Sequence, residues 1–414
     1  MKNILILGAG SAGTIMSNHL RKRLDLDEWQ ITIVDKDDVH YYQPGFLFLP
    51  FDEYTEKQVK KRTDKFLHAD VKYIHSPVES IEAEKNRVHL KGGSAIDYDI
   101  LIIATGSQIA PQETEGVLGP LWRKDIFDFY SFEGAVALRD KLKAWEGGNL
   151  VVHITEMPIK CPVAPLEFSF LADDFFKKKN MRDKVNITYV TPVDGAFTKP
   201  TASKKLAYLL EEKGVEVVSD FYIEKVDNDR KVIVDYGGKE VPFDLLVTVP
   251  TNMGSEIIAR SGMGDDLNFV PTDNQTLQSK AYENVFVIGD ATDLPASKAG
   301  SVAHFEAEIL VENILNYMKG EPMTAKFDGH SNCFIETGNG KALVIDFNYE
   351  QEPVEGTFPF NKVGPLNLLK ESKLNHWGKL AFRQVYWKMI LPAKKIPFVG
   401  ANMSLKGKKI KNKK

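Results

Sequence analysis

The chain has 414 residues, 43% of them apolar and 27% charged, with a formal net charge of −4. This is ordinary globular composition with ample core, too long for one simple domain and free of low-complexity sequence. No segment approaches the ~20 consecutive apolar residues that a membrane-spanning helix needs.

The first element is a short apolar run, residues 3–7, suited to a buried parallel strand. It passes directly into Gly8-Ala9-Gly10-Ser11-Ala12-Gly13 and a helical pattern that runs to about Arg23. In this strand-loop-helix context the glycines have separate tasks. Gly8 permits the turn, Gly10 lets backbone approach a pyrophosphate, and Gly13 allows close helix–strand packing. The helix N-terminus, with Ser11 and Ala12, then faces the phosphates. A second strand ends at Asp35, at the distance where an acid accepts hydrogen bonds from an adenosine ribose. The first strand starting at residue 3 leaves no room for a leader, which favours the cytoplasmic side.

Further along, a strand runs into Ala104-Thr105-Gly106, and another ends in Gly289-Asp290. With these motifs the chain resembles the two-dinucleotide-binding flavoproteins of the disulfide reductase superfamily. That resemblance implies FAD in the first nucleotide site, with Asp290 near the flavin ribityl chain or phosphates. It also implies an α/β fold of two tandem Rossmann-like domains, the FAD domain being split by insertion of the second. The expected division is residues 1–110 and 268–320 for the FAD domain, 111–267 for the insert, with strands near 150–154, 185–190, 215–218 and 245–249, and 321–414 for a C-terminal region.

The insert departs from the superfamily pattern. After the strand at 150–154, Thr155-Glu156-Met157-Pro158 stands where a second glycine loop would cradle NAD(P)H. Bulky, acidic and proline residues each obstruct a pyrophosphate, so electrons must enter and leave by other routes. The same loop holds one of the chain's two cysteines, Cys161; the other, Cys333, lies 172 positions away. That separation excludes a Cys-x-x-Cys pair and a zinc cluster, and no metal is expected. Cys161 lies beside Lys160 and ahead of Pro162 and Pro165, which suit a first helical turn, so its thiol is expected to ionise easily. Two buried structural cysteines are the plain alternative. His153 and Glu156 flank the loop as proton-relay candidates, and His304 is read as a packing residue.

The Lys-Cys-Pro-x-Ala-Pro loop, the second cysteine in Cys333-Phe334-Ile335-Glu336 and a cationic C-terminus together resemble the sulfide:quinone oxidoreductases. The resemblance implies that Cys161 and Cys333 form the redox pair attacked by hydrosulfide, that one of them adds transiently to the flavin, and that sulfane sulfur is the product. Lys298 matches the family's Lys-x-Gly segment and is expected beside the flavin as a catalytic and cofactor-binding cation. Phe334 is the expected quinone wall, with Phe358, Phe360 and Phe398 behind it. A third cysteine found upstream in many relatives is missing here, so covalent flavin attachment is not carried over.

From Lys362 onward there are fourteen Lys or Arg and one acid, Glu371. Leu366, Leu368, Leu369, Leu374, Trp377, Leu380, Val385, Tyr386, Trp387, Ile390 and Leu391 interleave with Lys370, Lys373, Lys379, Arg383 and Lys388. This pattern predicts an interfacial amphipathic helix or helix pair on an anionic lipid surface, rather than a nucleic-acid arm. The expectation is a peripheral protein of the cell inner membrane with membrane quinone as acceptor; homo-oligomer formation stays open. Three other readings stay open too. They are a type II NADH:quinone oxidoreductase, the flavoprotein subunit of a cytochrome-reducing sulfide dehydrogenase, and a membrane flavoprotein whose cysteines sense oxidation without turnover.

Overall fold

The computed structural model describes residues 1–360, 363–397, 399–406 and 408. Strand β1 (Lys2–Leu7) leads into helix α1 (Ser11–Arg21), followed by β2 (Trp29–Asp35), β3 (Val71–His75) and β4 (Ile100–Ile103). The chain then leaves this sheet for β5 (Ile126–Phe127), α2 (Phe132–Ala144), β6 (Gly148–Ile154), α3 (Ala164–Lys178), β7 (Val185–Val190), α4 (Pro200–Glu212), β8 (Val215–Val218) and β9 (Leu245–Val249). It returns with β10 (Val285–Val287) and α5 (Gly300–Met318).

Two parallel five-stranded sheets result, ordered β10-β4-β1-β2-β3 and β5-β9-β6-β7-β8. Their central strands are buried on both faces, which is why they read as continuous apolar runs rather than alternating ones. Ile4 sits in register with both Ile31 and Ile100, so the strand that opens the chain is the centre of its sheet. The FAD-type half and the inserted half are joined by two antiparallel crossing segments, 107–109 and 252–254.

The C-terminal region forms a third sheet, β11 (Ser331–Gly338), β12 (Lys341–Phe347), β13 (Gly356–Phe360) and β14 (Gly364–Leu368), ordered β11-β12-β14-β13. Asn339 and Gly340 make the two-residue turn between β11 and β12, both with positive φ as such a hairpin turn requires. Helix α6 (Lys373–Val385) follows, capped by the Ser372 side chain, and ends in a wide turn over Tyr386–Ile390.

The expected amphipathic stretch is only partly a surface helix. Leu366 and Leu368 lie in β14, while Tyr386, Trp387, Ile390 and Leu391 are buried against the first domain. Trp387 stacks on Phe66, and the backbone carbonyl of Leu391 accepts from Asn18 of α1. Their apolar periodicity serves packing within the protein. What stays outward on α6 is Leu374 and Trp377, 57% and 66% exposed, one turn apart. No helix among the described residues is long and apolar enough to cross a membrane. Phe398 lies outside the described residues.

Candidate active site

The glycine loop between β1 and α1 is shaped by contacts that only glycine tolerates. A Cβ on Gly8 would fall 2.4 Å from the Ala104 carbonyl oxygen, and one on Gly13 would fall 1.9 Å from the Gly8 oxygen. At Gly10 nothing lies within 4 Å of the same position: the backbone faces open space. That space is a cavity of about 340 Å³ walled by Gly8, Gly10, Ser11, Ala12, Asp35, Thr105, Gly106, Gly289, Asp290 and Lys298. The Asp35 carboxylate accepts from the Ala9 and Asp37 amides, holding it at the cavity edge. The Thr105 hydroxyl is buried with no partner in the protein, an orphaned donor of the kind a bound ligand satisfies. Glycine cradle, helix N-terminus, terminal acid and orphaned hydroxyl together fit FAD.

Lys298 reaches this wall just ahead of α5. Its ammonium donates to the carbonyls of Asp290 at 3.2 Å and Thr292 at 2.6 Å, and lies 4.0 Å over the Phe269 ring. Burial lowers its pKa, opposed by Asp290 and other nearby acids.

In the inserted domain, β6 is followed not by a tight turn but by a long loop over residues 155–163. Thr155 ties the loop's start to the Val249 carbonyl, and the Lys160 amide donates to Asn252. The loop then crosses to the FAD side, where the Cys161 amide donates to the Lys298 carbonyl at 2.8 Å. Cys161 thereby lines the nucleotide cavity, as does Lys160, whose ammonium donates to Gln43 and to the Ser107 carbonyl. Cys333, on β11, lies close enough to Cys161 that a charge on Cys161 disfavours its ionisation; the two thiols are not bonded. Neither Cys333 nor Phe334 lines the nucleotide cavity. Phe334 instead packs against Gly378 of α6, where a Cβ would approach its ring to 2.8 Å.

The expectation of an easily ionised Cys161 is overturned. Burial pushes its thiol up to about 12, and the Glu167 carboxylate adds to the effect. Lys379 and the amide of Ala164, the first residue of α3, act in the opposite sense but do not offset that desolvation. Cys333 is raised further by burial and by Cys161. His153 is a buried core residue bonded to Thr248 and held neutral by burial, its pKa about 3, while Glu156 is exposed. Neither has the setting of a relay. His304 is buried beside Phe305, as expected of a packing residue.

Glu167, which sequence reasoning passed over, and Lys379, which it set on the lipid surface but whose side chain is 12% exposed, dominate the electrostatics. Glu167, on the buried face of α3, pairs with Lys379 of α6, and Lys379 also donates to the Phe334 carbonyl at 3.0 Å. Both line the nucleotide cavity. Lys379 lowers the pKa of both thiols and is the cation that favours their thiolates. Burial alone would discharge it, but Glu167 and Cys161 raise its pKa. The only sequence signal for the pair was an acid in the largely apolar first turns of a helix, six residues after Cys161. A third missed residue is Tyr386. Its hydroxyl lies 2.5 Å from the Ser11 hydroxyl and 2.6 Å from Nε2 of the buried His40, so the last helical turn touches the first glycine loop.

Residues 2–157 match the pyridine nucleotide-disulphide oxidoreductase family, the match ending just where the loop to Cys161 begins. Mitochondrial sulfide:quinone oxidoreductase of Dictyostelium discoideum is 28% identical over 394 residues, covering 94% of this chain and 85% of the relative. That of Mus musculus is 27% identical, covering 87% and 80%. The solved sulfide:quinone oxidoreductase of Aquifex aeolicus superposes with a TM-score of 0.79 at 19% identity, covering 95% of this chain and 92% of that one. Residues 2–157 thus carry the nucleotide-binding fold of that family, and the glycine cradle within it fits FAD. Along most of its length the chain is similar to these sulfide:quinone oxidoreductases.

Proposed function

We propose that the protein oxidises hydrosulfide to sulfane sulfur through Cys161 and Cys333 and passes two electrons to a membrane quinone. The observation that carries this reading is the loop 155–163, which occupies the place of a second nucleotide loop and delivers a cysteine to the FAD side of the cavity. Similarity to sulfide:quinone oxidoreductases over most of the chain supports the same chemistry.

Hydrosulfide is the nucleophile, so neither cysteine needs to be ionised at the outset. In the oxidised state, with Cys161 and Cys333 joined as a disulfide, it attacks one of the two sulfurs, leaving a persulfide on that cysteine and placing the bonding electron pair on the other as a thiolate. Lys379 is positioned to stabilise that thiolate. When bound, FAD supplies the two-electron acceptor that connects the cysteines to the quinone. The residues that would hold it are Gly8, Gly10, Ser11, Ala12, Gly13, Asp35, Ala104, Thr105, Gly106, Gly289, Asp290 and Lys298. Phe334 remains the candidate quinone wall, from beneath α6.

Anaerobic sulfide is expected to bleach the purified yellow protein, and a short-chain quinone to restore the colour. Bleaching by NADH but not by sulfide would replace this reading with a type II NADH:quinone oxidoreductase.

Membrane attachment is proposed through the outward stripe of α6. Leu374 and Trp377 are exposed on the first turns of α6, next in the chain to exposed Lys370 and Lys373, an apolar ridge with cations at its start. Leu374→Asp with Trp377→Asp is expected to weaken binding to anionic vesicles by at least about tenfold, with soluble turnover on a short-chain quinone unchanged. Cosedimentation measures the first and flavin absorbance the second; undiminished vesicle binding would move the contact elsewhere.

A further inference from the structure

Behind the Glu167–Lys379 pair lies a second cavity of about 420 Å³, lined by Glu53, Asp174, Lys178, Glu336, His376 and Arg383 among others. A space walled by so many charged side chains is a place for water rather than for an apolar ligand. Two carboxyl groups, Glu167 and Glu336, stand between it and the nucleotide cavity, and each lies within electrostatic reach of Lys379. On the inner side, Glu167 and Lys379 line the nucleotide cavity. On the outer side, the Glu336 carboxyl lies 2.9 and 3.0 Å from His376 Nδ1, and both residues line the second cavity. The two pairs touch, because the Glu336 amide donates to Glu167 Oε1 at 2.7 Å. Glu167 Oε2 is buried with no partner, an open acceptor between them.

The proposed reaction has a proton deficit. Oxidising hydrosulfide to sulfane sulfur releases two electrons and one proton, whereas reducing a quinone to its quinol consumes two electrons and two protons. One proton per turnover must therefore come from solvent. We propose that Glu336 and His376 form the solvent end of a proton-entry route that reaches the nucleotide cavity through Glu167 and Lys379 and supplies this proton. The inference rests on the sulfide:quinone reading above and assigns to the second cavity the role of its water-filled vestibule.

The surroundings suit such a route. Glu336 faces Lys379, Glu167, Glu53 and Asp174; His376 faces Glu336, Glu53, Asp174 and Lys178. Burial raises the Glu336 carboxyl to about 8, so it carries a proton at neutral pH, and burial lowers His376, leaving it a neutral acceptor. Glu336 can thus hand its proton inward and be reprotonated from the vestibule, the His376 ring holding the incoming proton beside the carboxylate as an ion pair.

The test separates the two half-reactions in wild type, Glu336→Gln, Glu336→Asp and His376→Asn. Bleaching by sulfide should stay within about twofold of wild type, while reoxidation of the dithionite-reduced protein by a short-chain quinone should slow by on the order of tenfold or more in Glu336→Gln and His376→Asn. Wild-type reoxidation should fall as pH rises through about 8, where Glu336 loses its proton, and Glu336→Gln should lack that limb. Glu336→Asp should restore both rate and limb. A pH-indicator dye should report proton uptake that is delayed in the Gln variant. Unchanged reoxidation with the same alkaline limb in Glu336→Gln and His376→Asn would overturn the route, as would equal slowing of both half-reactions. Wild-type protein that sulfide does not bleach would instead remove the sulfide reading, while the dithionite-reduced arm still decides the route.

Discussion

Replacing Cys161 by serine should leave a folded, yellow protein whose bleaching by sulfide is slower by on the order of 10³-fold or more. Serine matches cysteine in size, and what holds the loop here is backbone: the residue 161 amide on the Lys298 carbonyl, and the residue 161 carbonyl accepting from Tyr130 and Ala164. The substitution therefore removes sulfur chemistry without removing the loop. A hydroxyl cannot form a persulfide or leave as a thiolate, so the loss falls on the sulfide step alone. Reoxidation of dithionite-reduced protein by quinone should remain within about threefold of wild type. Stopped-flow absorbance of the flavin measures both steps. Sulfide bleaching at the wild-type rate in Cys161→Ser would remove this cysteine from the reaction.

A second large effect is expected in the glycine loop, where two neighbouring glycines should fail in different ways. Gly10→Val should give a folded but colourless protein. Its backbone is extended, with φ −68° and ψ −163°, and no protein atom lies within 4 Å of the added Cβ, so the apoprotein accommodates the side chain. The space it fills is the approach to the pyrophosphate. Gly13→Val should instead destabilise the protein itself, by about 3 kcal/mol or more, because its Cβ meets the Gly8 carbonyl at 1.9 Å and helix α1 must separate from β1. Flavin absorbance per protein together with the thermal midpoint distinguishes the two. A Gly10→Val protein that purifies with full flavin content would show that the cofactor does not cross this loop.

The nucleotide-binding half was readable because each of its requirements is local. A buried central strand, three glycines at fixed spacing and a terminal acid all fall within 35 residues, and the structure sets Gly8, Gly10 and Asp35 on one cavity wall with Gly13 packed behind Gly8. The loop to Cys161 was readable as a departure from that same local pattern. The reactivity of the thiol was not, because it depends on Glu167 and Lys379, which come from α3 and from α6 more than two hundred positions later. The C-terminal stretch misled for a related reason: a periodic apolar stripe looks the same whether lipid or protein covers it. Tyr386, Trp387, Ile390 and Leu391 are covered by the first domain, and only Leu374 and Trp377 keep the outward orientation that the pattern suggested. Likewise Glu336 and His376 lie 40 positions apart and meet only because β11 and α6 pack together.

The contact between Tyr386 and Ser11 joins residues 375 positions apart in the chain. On a ribosome the glycine loop emerges early and the tyrosine that closes over it late, an interval of roughly 20–75 s at ordinary rates of synthesis. The other walls of the site, Gly289, Asp290 and Lys298, emerge ahead of Tyr386, so for the last part of that interval the site stands without this cover. FAD captured then would be walled in by the final stretch of translation, whereas a finished apoprotein would have to lift its own C-terminal turn to admit it. Reconstitution of stripped protein should accordingly be slow, and a chain ended before Tyr386 should exchange its flavin freely.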